Sequence, residues 1–444
     1  MRNTFLLLGL ALSVAAHAGC GSTSRLAEIQ GVGVNPTLPP PDTSLVPTIN
    51  VANAVGWPAG ATPVATAGTT VTAFARGLDH PRWLYVLPNG DVLVAETNAP
   101  PRSIGVKGIK GWFFSRYQKK AGAGVPSANR ITLLRDADGD GVAEMRSPLL
   151  TGLHSPFGMA LVGDTLYLAN ADAIVKVRYA AGDTTITAAV ITVTTLPGAG
   201  TFNHHWTKNI IASVDGSKLY ATVGSNSNIA ENGVENEVGR AAIWEIDLAT
   251  GAKRIVASGL RNPVGLAWNA ETGGLWTAVN ERDELGNDLV PDYMTSVQDG
   301  GFYGWPYSYF GSHVDDRAKP ARPDLVATAI VPDYALGSHT ASLGLTYTGA
   351  NALPALFQRG MFVGQHGSWN RKPRSGYKVI FVPFTGGKPS GPPVDVLTGF
   401  VTEDGHAMGR PVGVAIDSRG GLLVADDVGN VVWRVIGASK MTRR

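Results

Sequence analysis

Residues 259–268 read "GLRNPVGLAW". Gly259 and Pro263 punctuate the start, and Val264, Leu266 and Trp268 alternate with smaller neighbours, which is the period of a half-buried strand. Arg261 and Asn262 stand where the chain is about to enter a core, a place that rarely takes a guanidinium or a bare amide. Repetition supplies the reason. Five further stretches share the plan of polar loop, apolar strand, tight turn and second strand with a polar end. They are "GLDHPRWLYVLPNGDVLVAETN" (77–98), "GLHSPFGMALVGDTLYLANAD" (152–172), "HHWTKNIIASVDGSKLYATVGSN" (204–226), a longer copy over 337–368, and "GRPVGVAIDSRGGLLVADD" (409–427). "PNGD" and "SRGG" are hairpin turns, and further strands such as "AIVKVRY" and "RAAIWEIDL" follow most pairs. A four-stranded antiparallel unit used six times predicts an all-β, six-bladed β-propeller. "TVTAFAR" (70–76) is expected to close the ring as the outer strand of the blade whose inner strands lie in 410–436.

Phase then places the polar residues. In an antiparallel hairpin, the loop before the first strand and the end of the second lie on one face. The leading loops carry His80, Arg82, His154, His204, His205, Arg261, Asn262, His339, His406 and Arg410. Six of the nine histidines share this phase. The second strands bring Glu96, Asn226, Glu281, Asp283, His366, Asp426 and Asp427 to the same face. A cationic floor beside carboxylates suits a polyanionic small molecule together with a divalent cation.

Composition agrees with a turn-rich β protein. Charged residues are 16% of the 444, below the usual ~25%, and glycine numbers 55. A net charge of +2 points to no nucleic-acid partner. Residues 1–18 read as an export signal: Arg2, an apolar run over 5–16, and Ala16-His17-Ala18 as the cleavage site. The lone cysteine, Cys20, permits no intrachain disulfide. It follows a stretch resembling a lipoprotein processing box, so two outcomes stand: acylation at Cys20, or cleavage after Ala18. Membrane attachment rests on that lipid alone, and both outcomes put the protein in the periplasm or outside the cell. Residues 19–68, rich in Pro, Gly, Ala and Thr, read as a flexible tether, 69–437 as the propeller, and 438–444 as a tail.

The loops also resemble a known family. "GLRNPVGLAW", "NERDELGNDLVPDY", "GGFYGWPYSYFG" and "QHGSWNRKPRSGYKV" are similar to the glucose/sorbosone dehydrogenases, best of all their L-sorbosone dehydrogenase-like branch, over roughly 69–437. The resemblance implies an exported propeller that uses pyrroloquinoline quinone and Ca²⁺ to oxidise an aldose or sugar aldehyde, passing electrons to an external quinone or cytochrome. It implies His205 as general base. It implies Arg82, Arg261, Asn262, His366, Trp369, Asn370, Arg371 and Arg410 as cofactor-binding, and Glu281, Arg282 and Asp283 at the metal. The family's quinone-contacting lysine has no certain counterpart; Arg371 or Lys372 stands in its region. "NERD" replaces the stretch whose carbonyls hold Ca²⁺ in relatives, so backbone oxygens near Glu281 and Arg282 or the side chains of Glu281 or Asp283 are the alternatives.

Asp136, Asp138 and Asp140 resemble the start of an EF-hand loop, but Ser147 stands at the twelfth position, so a structural Ca²⁺ and a plain polar turn both remain open. The basic insertion over 100–130, with Trp112-Phe113-Phe114, reads as a cleft roof, an acceptor-docking site or a pinned surface loop. No G-x-G-x-x-G opens a helix after a strand, and no haem-attachment C-x-x-C-H occurs. Against the dehydrogenase stand a metal-dependent lactonase-type hydrolase and a non-catalytic ligand-binding propeller.

Overall fold

Alternating apolar residues bounded by turn residues fold as the repeat requires: Gly90 and Gly420 take φ of 91° and 80° in the "PNGD" and "SRGG" turns. The computed structural model describes residues 22–42, 48–101, 116, 120–198 and 203–438. The readings of residues 1–18, of Cys20, of most of the basic insertion and of nearly all of the 438–444 tail lie outside the described residues.

Six antiparallel sheets form the blades. Blade one is Pro81–Val86, Val92–Glu96, Arg130–Arg135 and Met145–Leu150; blade two is Met159–Val162, Thr165–Ala169, Ala173–Arg178 and Ile191–Thr195. Blade three is Ile210–Ala212, Lys218–Val223, Ala242–Asp247 and Lys253–Ser258; blade four is Pro263–Trp268, Leu275–Val279, Pro291–Ser296 and Tyr334–Ser338. Blade five is Ser342–Tyr347, Gly360–Gln365, Lys378–Thr385 and Val394–Thr398. Blade six joins Pro411–Ile416, Leu422–Asp426 and Val431–Gly437 to Thr69–Arg76, which pairs antiparallel with Val431–Gly437 and closes the ring as expected.

The six innermost strands touch in a closed circle, each packing on the next and the sixth on the first. A channel of about 360 Å³ runs along the axis, lined from every innermost strand by residues such as Tyr85, Met159, Ile210, Leu266, Leu345 and Val414. Glycines set the close approach. A Cβ on Gly158 would lie 2.4 Å from the Ile210 amide, one on Gly265 2.5 Å from Leu345, one on Gly344 2.1 Å from the Val412 carbonyl, and one on Gly413 2.8 Å from the Arg82 carbonyl. Blades one and three break this pattern. Trp83 instead stacks on Phe157 with centroids 4.7 Å apart, and Asn209 donates to the Val264 carbonyl at 2.9 Å.

The expected tether is corrected. Residues 22–42 and 48–68 lie along the propeller as a strap. Val32–Gly33 pairs with blade four, Val64–Ala65 with blade five, and Asn53–Ala54 runs parallel to His406–Ala407. Val51 and Ala52 are buried, and Trp57 donates to Asp426 at 2.7 Å. Pro- and Thr-rich chain lacks periodicity, yet its backbone donors can pair with open sheet edges, which is what covers them here.

If the axial glycines set the ring, Gly344→Val should lower stability by about 3 kcal/mol or more in urea unfolding, beyond ordinary overpacking. Gly31→Ala, where a Cβ meets nothing within 4 Å, should change it by less than ~0.5 kcal/mol.

Candidate active site

The leading loops of the blades converge on one end of the axis, and buried carboxylates organise them. Two acids at second-strand ends brace the backbone. Glu96 accepts from the Asp79 amide and from Arg130 and Thr132. Asp426 accepts from the Arg410 amide at 2.8 Å and from the indoles of Trp57 and Trp433 at 2.7 and 3.0 Å. These acids therefore hold the loops and are not free ligands for a cation.

Asp427 is the first hub. Its Oδ2 accepts from Arg82 Nη1 at 2.8 Å and His366 Nε2 at 2.9 Å, with His80 Nε2 at 3.6 Å, so blades one, five and six meet on one carboxylate. Burial opposes its ionisation, but His366, His80 and Arg82 hold it far below the usual carboxylate range. Arg82 compensates that charge permanently, so burial, with help from Arg410 and Arg82, can pull His366 down to about 4. A neutral His366 then donates its Nε2 proton to Asp427. Arg410 is buried beside this hub, donating to Tyr377 Oη at 3.1 Å with its guanidinium 5.0 Å from that ring's centre.

Asp283 is the second hub. Arg261 Nη2 reaches it at 3.2 Å, Asn370 Nδ2 at 2.8 Å and His339 Nδ1 at 3.4 Å. Burial pushes its pKa up, yet His339, Arg261 and Asn370 bring it to about 2. Burial works against the charged form of His339, but Asp283 more than offsets it and raises the imidazole. Arg261 is also bonded to the carbonyl of Glu281 at 2.6 Å and to Asn228 Oδ1 at 2.9 Å. It is thus a brace for the 280–283 loop and no open fork toward the mouth.

His205, in the leading loop of blade three, is half-buried. Its Nδ1 meets the Ser225 carbonyl at 2.9 Å and the Ser225 hydroxyl at 3.0 Å. A carbonyl only accepts, so Nδ1 carries the proton and Nε2 keeps its lone pair. Burial, then Arg261 and His204, lower its pKa well below 6.5, so the imidazole is neutral at neutral pH. His205 and Asn262 flank Gly224 so tightly that a Cβ there would come within 2.5 Å of both.

Several expected residues lie elsewhere. Arg371 donates to the Asn287 carbonyl, Ser24 and Asp288, so it ties the strap to blade four. Arg282 is fully buried, bonded to Glu281, Asp315 and the carbonyls of Pro306 and Ser308. The Glu281 carbonyl and both Asp283 oxygens are already turned to donors, which leaves Glu281 Oε1 as the unpartnered buried oxygen of that set. Among the described residues, the carboxylates whose ligand atoms lie within 4.8 Å of one another are Asp136, Asp138, Asp140 and Glu144, remote in sequence from these loops. His154 is exposed and pairs with Asp172, and His406 pairs with Asp404, so both leave the ring. Trp369, 39% exposed, lines with Asn370 a cleft of about 510 Å³ that also borders Asp42, Tyr309 and Arg317. Sequence reasoning missed Asn228, Tyr377 and Lys208. It put Asp427 on the mouth face without giving it a role, although the Asp-Asp pair closing the last repeat was the available signal.

Several of these residues also carry buried polar atoms without partners. Among the described residues, His80 Nε2, Arg82 Nε, Asn262 Oδ1, Glu281 Oε1, Asn370 Oδ1, Arg410 Nε and Asp427 Oδ1 are buried and lack hydrogen-bond partners. All come from loops at the mouth, and buried polar atoms are rarely left unsatisfied. The donors among them fit anionic oxygens.

Fold and site together define a six-bladed propeller with a cationic, polar ligand site at one mouth. The chain belongs to the TrAA12-like family, which matches residues 125–298 and 324–437. An uncharacterised protein of Borreliella burgdorferi is 29% identical over 221 residues, 49% of this chain and 57% of that protein. A pyrroloquinoline quinone-dependent pyranose dehydrogenase of Coprinopsis cinerea is 27% identical over 223 residues, 40% of this chain and 30% of that protein. The chain thus spans 57% and 30% of the lengths of these curated relatives. In fold it is similar to a calcium structure of the Trichoderma reesei family AA12 enzyme, with a TM-score of 0.68 at 19% identity, covering 88% of this chain and 99% of that one. The holo pyranose dehydrogenase quinone domain of Coprinopsis cinerea gives 0.67 at 21%, covering 87% and 100%. The soluble aldose sugar dehydrogenase of Escherichia coli gives 0.58 at 18%, covering 83% and 100%.

The electrostatics separate the histidines. Titration of labelled histidines by NMR should show His366 with a midpoint near 4, His205 well below 6.5 and His339 above 6.5. Asp427→Asn removes the anion facing Arg82 and should destabilise the fold by about 3–5 kcal/mol, the cost of breaking a buried pair from one side.

Proposed function

We propose that the protein is an exported quinoprotein dehydrogenase that oxidises an aldose or sugar aldehyde with pyrroloquinoline quinone. The observation carrying this reading is the pair of buried, unpartnered guanidinium donors on Arg82 and Arg410 at the polar end of the blades, with a neutral His205 in the leading loop of another blade. A planar tricarboxylate would satisfy such guanidinium donors through charge-assisted bonds. Arg261 adds positive charge from behind the ring, while Asn262 lies beside His205. When bound, the quinone supplies the hydride acceptor.

The chain's own residues do the rest. His205 Nε2 takes the proton of the sugar hydroxyl as hydride leaves the adjacent carbon, so proton and electron pair part in one step. The Nδ1 bond to Ser225 fixes the tautomer that leaves Nε2 unprotonated. The buried cations of Arg82 and Arg410 stabilise negative charge developing at the mouth. The cleft bordered by Trp369 and Asn370 offers the sugar a ring face and an amide. Electrons then leave for an external quinone or cytochrome. A Ca²⁺ ion would take Glu281 Oε1 as its buried anionic ligand, and no step of this scheme passes through it. The substrate is a small sugar, and a sorbosone-type aldehyde is the finer reading that the "YGWP" and "HGSWNR" loops favour. A lactonase-type hydrolase is disfavoured because Glu96 and Asp426 are consumed in bracing loops.

Adding pyrroloquinoline quinone and Ca²⁺ to the apo-protein should give dye-linked oxidation of aldoses, with His205→Ala lowering kcat by ~10²–10⁴-fold while the quinone still binds. Arg410→Ala should instead weaken quinone binding. Because the base works only unprotonated, kcat should fall on the acid side with a midpoint below pH 6.5. A folded protein that gains no activity with any aldose, or a His205→Ala enzyme with normal turnover, contradicts the scheme.

A further inference from the structure

The loop that carries His205 hides a lysine. Lys208 is fully buried, three residues beyond the base in "HHWTKN". Its Nζ donates to the Trp206 carbonyl at 3.1 Å and makes a longer contact with the His205 carbonyl at 3.5 Å. The carboxylate that favours its charge, Asp172, is itself paired with His154 at 3.1 Å, and Arg240 opposes that charge. Burial above all pulls Lys208 down to about 7. An ammonium buried mainly among carbonyls is an expensive way to fill space, and a methionine would pack as well. The carbonyls it holds belong to the base and its neighbour.

From this geometry we infer that Lys208 is a positioning residue: by holding the carbonyls of His205 and Trp206 it keeps the imidazole turned so that Nδ1 meets Ser225 and Nε2 faces the mouth. Trp206 is fixed on its other side by the aromatic edge of Phe157, with centroids 6.0 Å apart, and lies 5.9 Å from the Arg82 guanidinium. The residue after Lys208, Asn209, is locked to the Val264 carbonyl. The lysine thus holds the backbone between Trp206, which packs on Phe157, and Asn209, which is bonded to blade four. The charged groups acting on His205 are Arg261, His204 and Lys208, in that order, so the lysine works chiefly through its hydrogen bonds and only slightly through its field.

This inference rests on His205 being the base, and its test separates the two. Nitrogen-15 spectra of labelled histidine in the apo-protein report the tautomer without any cofactor. The wild type should show His205 as a single Nδ1–H tautomer. Lys208→Met, which keeps length and removes the donors, should mix the two tautomers and lower kcat of the reconstituted enzyme by about 10–100-fold, the scale of a small misplacement of a catalytic group. Quinone affinity should be unchanged. Lys208→Gln, which keeps donors without charge, should restore the single tautomer and most of the turnover. An unchanged tautomer and kcat in a folded Lys208→Met protein overturn the assignment. If the Met variant does not fold, the Gln variant decides: a folded Gln protein with mixed tautomers overturns it, and one with the wild-type tautomer supports it. A His205→Ala enzyme with normal turnover removes the base itself, whatever Lys208 does.

Discussion

Everything at the mouth depends on how closely the innermost strands approach one another. At Gly158, Gly265, Gly344 and Gly413 the next blade's innermost strand leaves no room for a Cβ. Close-packed interiors transmit such constraints with little slack. Because each blade is fixed against the next at this radius, the polar ends of the innermost hairpins are brought within hydrogen-bond distance across blades. That is how Arg82 of blade one, His366 of blade five and Asp427 of blade six meet on one oxygen. No local sequence element could assemble that contact.

Within the ring, charge is divided between two kinds of acid. Glu96 is spent on the Asp79 amide and on Arg130 and Thr132 of its own blade, Asp426 on the Arg410 amide and two indoles, and both serve as braces. Asp427 and Asp283 collect guanidinium, imidazole and amide groups from several blades. Burial pushes both hubs toward the protonated form, and their basic neighbours keep both ionised. The histidines are tuned by the same arrangement. His339 is biased to its charged form by Asp283, whereas His205 is kept neutral by burial first and then by Arg261 and His204. A neutral imidazole can accept a proton, and buried cations can stabilise developing negative charge, the two demands of the proposed reaction.

Much of this was legible in the sequence because it repeats. Six phased copies specified the propeller, the closing strand at 69–76 and the end of the axis where the histidines gather. Phase says which loop a residue occupies, not which way its side chain turns. Hence His154 and His406 fell in the right loops yet face Asp172 and Asp404. Arg261 and Arg371 were read as ligand-facing although their guanidiniums are absorbed by carbonyls and carboxylates of neighbouring loops. The strap was illegible for another reason. Its order comes from pairing with the edges of blades far away in sequence, which leaves no periodicity in its own residues. The axial glycines did leave a trace, in the repeated small residue after "SPF", "NPV", "ASL" and "RPV", whose meaning is a contact distance.

The central claim is that the unpartnered donors at the mouth exist to hold a planar, multiply anionic quinone beside His205. A crystal structure of the protein soaked with pyrroloquinoline quinone tests this most directly. The cofactor should lie across the axis with carboxylate oxygens within hydrogen-bond distance of Arg82 Nε and Arg410 Nε, and with its reactive face toward His205 Nε2. Quinone density at another surface, with those donors still unpartnered, would contradict it.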